Sequence, residues 1–338
     1  MRSKQYVIES CDNVGKERFS LVEKLIDIGS YPVVNVLGLL LQDKSTKKNI
    51  IWATDIYSKY GPGFDDKNHI EQSLFNKAND FVLLSRISKT LEEQQERTRK
   101  KAEVMTPVWL CNKMNNHADE QWFGCKDVFN HENDDNTWTV NEDKISFDGK
   151  RTWKKYVDSR RLEITCGEAP YLVSRYDTTT GELIVPPIRR IGFLDRKLRV
   201  VNENTSTEEE WLKWAIRAIQ SCYGYEYQGD NLLIARINVL LSFYEYFTDR
   251  WHHDPDKKTL TNIANIISWN IWQMDGLKDT VPLGKPYEEN HQMSLFELME
   301  FEDETTQSQE TTPEAVPCRI YNWRSNESLL FMDCKKKG

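Results

Sequence analysis

The 338-residue sequence predicts an α/β fold with a mainly parallel sheet. Between residues 160 and 279, short apolar segments typical of strands alternate with longer segments whose apolar residues recur at helical spacing. Strands that alternate with helices favour parallel pairing, because each helix returns the chain to the same edge of the sheet. The content of 11 Trp, 14 Tyr and 13 Phe indicates a real hydrophobic core.

Residues 1 to 95 are predicted to form a small α+β unit of unknown role. Residues 33 to 41 are apolar and residues 49 to 53 have a strand-like pattern, with a polar turn at residues 42 to 48 between them. The acidic residues of this unit lack the Asp…Glu-x-Lys spacing of a nuclease metal site. A nuclease is therefore disfavoured here.

A highly charged helix is predicted from about Ser85 to Glu103. Its simplest interpretation is a solvated linker helix. The alternative is a surface that meets nucleic-acid phosphates through its basic residues. Those basic residues are Arg97, Arg99, Lys100 and Lys101.

The predicted core begins with a strand at residues 161 to 165, and a long polar interruption follows from residue 177 to residue 204. A helix then begins at Thr207 and ends near Gln220. Thr207 and Glu210 form a capping box, in which the hydroxyl and the carboxylate each bind an unsatisfied backbone N–H. The remaining core elements are a strand at 222–227, a helix at 232–247, a helix through 260–267 and a strand near 269–273.

The C-terminal part combines an acidic stretch with a predicted hairpin. Residues 297 to 314 are rich in Glu, Thr and Gln, which predicts a surface loop. Two short apolar segments, 318–323 and 329–333, are predicted to pair across a polar turn. The predicted division of the chain is 1–95, 96–290 and 291–338.

Composition limits the classes of partner and site. The net charge of −8 means that a DNA partner would meet a local basic surface, or a basic segment outside this chain. Seven scattered cysteines without a CxxC pair argue against a zinc ribbon and a disulfide framework, and indicate a reducing cytoplasm. No secretory signal, membrane-spanning segment or metal site is predicted.

A cofactor with an adenosine group needs two features that the sequence offers. The first is a tight turn after a strand, where Gly167 allows close approach of the backbone. The second is a carboxylate at the end of the next strand, which Glu226 provides for the ribose hydroxyls. Taken singly, Gly167 could be an ordinary turn residue and Glu226 a solvated side chain.

Taken together, four motifs resemble the N6-adenine DNA methyltransferases of type II restriction-modification systems. The subgroup is the one in which an N-terminal cofactor motif precedes the glycine motif. The resemblance covers roughly residues 97 to 279 and includes the hairpin at residues 320 to 331. The four segments are 103–111 (a Thr-Pro motif), 162–172 (similar to Leu-Glu-Pro-x-Cys-Gly-x-Gly), 223–238 (similar to Tyr-Gly-x-Asp-x-Gln) and 270–277.

The resemblance implies a Rossmann-like S-adenosylmethionine methyltransferase core, incomplete at its C-terminus. Glu163 would lie near the methionine amine, Glu226 would bind the ribose, and Asp275 would accept the adenine amino group. The Thr-Pro pair would help to hold the methionine end. The cofactor-binding residues implied are Thr106, Pro107, Glu163, Cys166, Gly167, Glu226 and Asp275.

Two departures from the family pattern bear on function. Ala169 replaces the second glycine of the Gly-x-Gly and is followed by Pro170. The catalytic Asn/Asp-Pro-Pro-Tyr/Phe is absent, and the sole Pro-Pro pair, Pro186-Pro187, has the wrong context. The resemblance therefore implies a cofactor-binding portion without catalytic residues, inactive alone, whose catalytic half is missing or belongs to a second subunit that completes DNA binding. The alternative is a non-catalytic interaction protein, such as a defence or phage component, with a degenerate methyltransferase fold.

Overall fold

The computed structural model describes residues 25–76, 81–101, 103–285 and 314–335, with backbone alone at residues 100 and 101. Within these ranges the chain has a mixed α/β fold with seven strands. The strands are β1 (Asn130–Glu132), β2 (Trp138–Val140), β3 (Arg161–Glu163), β4 (Cys222–Glu226), β5 (Ile271–Gln273), β6 (Arg319–Asn322) and β7 (Glu327–Leu330).

The described ranges also contain nine α-helices. They are α1 (Val33–Leu40), α2 (Leu91–Lys101), α3 (Val108–Phe123), α4 (Trp153–Val157), α5 (Phe193–Asn204), α6 (Glu208–Gln220), α7 (Gly229–Trp251), α8 (Lys257–Asn270) and α9 (Phe331–Lys335). None of these helices is both long and apolar enough to cross a membrane.

The central sheet has three parallel strands in the order β3-β4-β5. Glu163 lies opposite Gly224, and Glu226 lies opposite Gln273. The prediction of a parallel α/β sheet is confirmed. Because the strands are parallel, their carboxyl ends share one edge, which places the residues that follow each strand near one another.

The helices around the sheet form where the apolar periodicity predicts them. The hydroxyl of Thr207 accepts the backbone N–H of Glu210 at 3.3 Å, as the capping box predicts for the start of α6. Helix α7 is longer than predicted and almost entirely buried up to Phe247. It forms the centre of the main hydrophobic cluster, because it packs against α1, α5 and α8 as well as against β4 and β5.

The prediction of a polar interruption from residue 177 to residue 204 is wrong in its second half. Residues 193–204 form helix α5, and most of its side chains are buried. Its charged residues obscured the apolar pattern, because several of them are buried with partners instead of facing solvent. Arg196 forms an ion pair with Asp119 at 2.7 Å, and the Lys197 ammonium donates to Ser221 Oγ at 2.7 Å.

The N-terminal part packs directly on the central sheet. Residues 49–53 form isolated bridges instead of the predicted strand. The Ile51 N–H donates to Gln273 Oε1 at 2.9 Å, and the Gly229 N–H donates to the Trp52 carbonyl at 2.9 Å. Trp52 belongs to the same hydrophobic cluster as α7. The segment therefore shares the core of the sheet.

The C-terminal hairpin is present as predicted. Strands β6 and β7 pair antiparallel, with Arg319 opposite Leu330. Phe331, at the start of α9, packs with Tyr225 and Trp272 of the central sheet. The predicted acidic loop lies outside the described residues, apart from Glu314.

Candidate functional site

Two buried glutamates occupy the carboxyl edge of the sheet. Glu163 is the last residue of β3 and Glu226 is the last residue of β4. Their exposed fractions are 8% and 7%. The sequence predicts a strand-end position for Glu226 and a position within the strand for Glu163, but not the burial of either residue.

The turn after β3 is attached to the end of β4 by Glu226. Its carboxylate accepts the backbone N–H of Gly167 at 2.8 Å and that of Gln228 at 3.1 Å. Gly167 has φ +53°, a left-handed conformation that favours glycine. A Cβ at this position would lie 3.2 Å from the sulfur of Met105. The turn therefore requires glycine for conformation as well as for space.

Glu163 accepts hydrogen bonds from the residues that follow the same turn. The N–H groups of Leu172 and Tyr171 donate to its carboxylate at 3.0 and 3.3 Å. Burial raises the pKa of Glu163 to about 8, and the charge of Glu226 acts in the same direction. Burial also raises the pKa of Glu226. Keeping both carboxyl groups ionised in this buried position is therefore unfavourable, and Glu163 is mostly protonated at neutral pH.

No cation in the described part of the chain forms an ion pair with either glutamate. A buried carboxyl group without a cation partner is neutralised by a proton instead, which agrees with the raised pKa values of this pair. Near it, Gln228 Oε1 is a buried acceptor without a hydrogen-bond partner among the described residues. The edge of the sheet therefore holds excess acceptor capacity.

The Thr106-Pro107 pair lies near the same turn. Pro107 immediately precedes α3, and Met105, which precedes Thr106, is the residue that a Cβ at Gly167 would meet. The Thr106 carbonyl accepts the hydroxyl of Thr178 at 3.1 Å. Two sequence motifs that are 60 residues apart, around positions 106 and 166, thus meet in space.

Asp275 follows β5 at the same edge. The preceding residue, Met274, donates its N–H to the Glu226 carbonyl at 3.0 Å, which continues the pairing beyond the strands. The Asp275 carboxylate accepts the Leu277 N–H at 3.0 Å and lies 3.6 Å from Lys278 Nζ. Asp275 therefore belongs to the edge, although its carboxylate already has partners in its own turn.

Cys166 and Ala169 shape the turn from within. Cys166 is buried, its N–H donates to the Tyr225 carbonyl at 2.8 Å, and burial raises its thiol pKa well above the usual value. The side chain is thus a packing element of the turn. Ala169 is fully buried with φ +65°. An alanine in this conformation costs about 1 kcal/mol that glycine avoids. Ala169 is thus held in a conformation that glycine would adopt without strain.

A buried ion network beside the edge was not predicted. Arg97 lies 2.8 Å from Asp230 Oδ2 and donates to Glu103 at 2.6 Å. Lys89 and Tyr57 also bind Asp230, at 3.2 and 2.7 Å. Burial alone would raise the pKa of Asp230, but Arg97 and Lys89 hold it well below its usual range. The interpretation of Arg97 as a phosphate contact is therefore wrong, because its side chain is fully buried.

The two glutamates are covered by the backbone of their own turns. Four cavities characterised within the described ranges are lined by other residues. Among the residues described, no group of three or more His, Cys, Asp or Glu side chains could hold a metal ion. The edge is a closed, acidic, glycine-containing turn rather than an open cleft.

Comparison of the chain with family models, curated proteins and solved structures found no match in any of the three. The chemistry of the site therefore rests on its own residues. Two buried carboxylates without a cation partner favour a ligand that brings positive charge and hydroxyl groups. A glycine turn at the carboxyl edge of a parallel sheet is where α/β folds bind nucleotide-like ligands.

Proposed function

We propose that the chain binds S-adenosylmethionine at the carboxyl edge of its sheet, as the cofactor-binding portion of a DNA adenine-N6 methyltransferase of a restriction-modification system. Its sheet would be part of a Rossmann-like methyltransferase core. The observation that carries the proposal is the pair Glu163 and Glu226, which are buried on adjacent parallel strands without a cation partner. The sulfonium and ammonium groups of the cofactor would supply positive charge that favours the ionised form of both carboxyl groups.

The residues at the edge carry the polar groups that this ligand needs, and binding would require the closed turn to open. Glu226 would exchange part of its hydrogen bonding to Gly167 and Gln228 for the ribose hydroxyls. Gln228 Oε1, a buried acceptor without a partner in the described structure, offers a further hydrogen bond nearby. Glu163 would face the methionine amine, as the family resemblance implies.

The remaining residues would hold the two ends of the cofactor. Thr106 and Pro107, next to the glycine turn, would contact the methionine end. Asp275 would accept a hydrogen bond from the adenine amino group after its ion pair with Lys278 opens. Cys166 and Gly167 would shape the backbone around the ligand. Bound S-adenosylmethionine supplies an activated methyl group.

Methyl transfer to adenine requires more than cofactor binding. In the family, an Asn/Asp-Pro-Pro-Tyr/Phe segment positions the target amino group, and residues 1 to 338 do not contain it. We propose that a polypeptide carrying this segment, for example a second subunit, completes the enzyme on DNA. The purified chain would then bind the cofactor without methylating an oligonucleotide.

Isothermal titration calorimetry with S-adenosylmethionine tests the proposal. We expect saturable binding to the unmodified chain and at least a tenfold rise in Kd for Glu226→Gln, which corresponds to about 1.4 kcal/mol. Glu209→Gln is the matched control, because Glu209 is exposed on α6 and should leave the Kd unchanged. Thermal unfolding of each variant checks that it is folded.

An unmodified chain that unfolds cooperatively but gives no heat with the cofactor would contradict the proposal. That result would favour the non-catalytic interaction protein. An equal rise in Kd for Glu226→Gln and for the control Glu209→Gln would also contradict the proposal, because it would show that binding does not involve the edge of the sheet.

A further inference from the structure

A cavity of about 550 Å³ lies beside Trp269, two residues before β5 begins. One wall is the turn that follows α1, another is Trp269 near the end of α8, and the third is the hairpin of β6 and β7. The cavity shares no residue with the carboxyl edge. It is lined by Gln42, Asp43, Lys44, Ser45, Lys47, Lys48, Asn49, Trp269, Arg319 and Ser328.

The charge of this cavity is strongly positive. Its lining contains four cations and a single acidic residue, Asp43. The Asp43 carboxylate is occupied by its own turn, since it accepts the N–H groups of Ser45 and Thr46 at 3.0 and 3.1 Å and the Thr46 hydroxyl at 2.6 Å. Lys47 and Lys48 are exposed and form no ion pair with any described residue. This concentration of positive charge contrasts with the net charge of −8 for the chain.

The other two cations are positioned by neutral groups. Lys44 Nζ donates to Gln42 Oε1 at 2.7 Å and to Asn265 Oδ1 at 3.0 Å. The Arg319 guanidinium donates to the Ser328 hydroxyl at 2.8 Å and to the Ser328 carbonyl at 3.1 Å. Neutral acceptors orient a cation without cancelling its charge. Both side chains therefore remain available to an anion.

An aromatic surface adjoins the cations. Lys44 Nζ lies 5.9 Å from the centre of the Trp269 ring, which is within the range of a cation–π contact. Trp269 packs on Tyr321 with ring centres 5.2 Å apart, and Tyr321 packs on Trp323 at 4.5 Å. Cations interleaved with aromatic rings are typical of surfaces that bind single-stranded nucleic acid, where rings stack on bases and cations follow the backbone.

We propose that this cavity, which we call the basic cavity, binds the phosphodiester backbone of a single-stranded nucleic acid segment. Three of the cations come from the turn after α1 and the fourth, Arg319, comes from β6. They line a space much larger than one phosphate, which favours successive phosphates over a single free anion. The proposal does not rest on the proposed cofactor function, because the two sites share no residue. It also assigns the phosphate contact to the turn after α1 instead of to helix α2.

Fluorescence anisotropy with a labelled single-stranded DNA of about 20 nucleotides tests the proposal, with KCl varied from about 50 to 200 mM. We expect log K to fall linearly with log salt. The double variant Lys47→Gln/Lys48→Gln should reduce the slope by about 1.4, since each phosphate contact on a single strand contributes about 0.7. Its affinity should fall roughly tenfold at about 200 mM KCl and by more at lower salt.

The matched control is Lys257→Gln/Lys258→Gln, which removes the same charge from an adjacent exposed pair. Lys257 lies at the start of α8, roughly 18 Å along the helix from Trp269. The control should keep the salt slope of the unmodified chain. Equal loss in both double variants would overturn the proposal, because it would show a response to net charge alone.

Two further arms identify the anion and separate this proposal from the cofactor function. Tripolyphosphate that displaces the DNA at an equal total phosphate concentration would overturn the nucleic-acid assignment in favour of a small anion. Glu226→Gln should leave DNA affinity unchanged. If the unmodified chain binds DNA but not S-adenosylmethionine, the basic cavity stands and the proposed function fails. If it binds S-adenosylmethionine but not DNA, the proposed function stands and the basic cavity fails.

Discussion

The carboxylate of Glu226 accepts the backbone N–H of Gly167 at 2.8 Å, so the end of one strand holds the turn that follows its neighbour. A hydrogen bond from an N–H to a carboxylate is stronger than one between neutral groups. The positions of the turn and of the glutamate are therefore coupled. A ligand that binds to the turn or to Glu226 will therefore affect the position of both.

This coupling predicts the effect of Gly167→Ala. The left-handed conformation and the contact with Met105 both oppose a side chain at this position. We expect a loss of about 1 to 2 kcal/mol in the free energy of unfolding, together with weaker cofactor binding. Urea unfolding measures the first effect. Gly149→Ala is the control, since a Cβ at Gly149 would contact nothing within 4 Å.

Stability of the ligand-free chain should depend on pH through Glu163. Its pKa is about 8 in the folded chain, whereas the unfolded chain has the usual value of 4.5. The folded state therefore binds more protons between these values. The resulting stabilisation is fully present below about pH 4.5 and is lost as pH rises through about 8.

Glu163→Gln isolates this contribution. The variant loses one hydrogen bond at every pH, but its side chain does not titrate. Unfolding free energies measured between about pH 6 and 8.5 should fall more steeply for the unmodified chain, by up to about 1.4 kcal/mol per pH unit. Parallel pH profiles for the two proteins would show that Glu163 has an ordinary pKa.

Removing Arg97 should destabilise the chain strongly. Arg97→Met would leave Asp230 and Glu103 buried with less compensating charge, which costs about 3 to 5 kcal/mol. The control is Arg99→Met, two residues further along α2, because Arg99 is exposed and should change stability by less than about 0.5 kcal/mol. A small effect for Arg97→Met, measured by chemical unfolding, would show that the network is not needed for stability.

The sequence predicts the fold well where the apolar pattern is strong. Helices α6, α7 and α8 and strands β4 and β5 lie near their predicted positions, since their apolar residues recur at a clear period. Helix α5 escapes prediction because charged residues such as Arg196 and Lys197 occupy buried positions that pattern reading assigns to solvent. Their partners come from distant parts of the chain.

The candidate site was only partly predictable for a similar reason. Strand order places Glu163, Glu226 and Asp275 at one edge, which the alternation of strands and helices indicates. The burial of the two glutamates depends on the conformations of their turns, which no local sequence pattern predicts. Ala169, for example, has a left-handed conformation that is unusual for alanine. Arg97 and Asp230 are 133 residues apart, so no spacing rule links them.

Photo-crosslinking of methyl-labelled S-adenosylmethionine to the chain, followed by peptide mapping, tests the central claim most directly. The account predicts that the label appears in the peptides that contain residues 161–172 and 222–230. Excess S-adenosylhomocysteine should prevent this labelling, and Glu226→Gln should reduce it. Label that is absent, or that appears in peptides remote from the carboxyl edge and resists competition, would contradict the account.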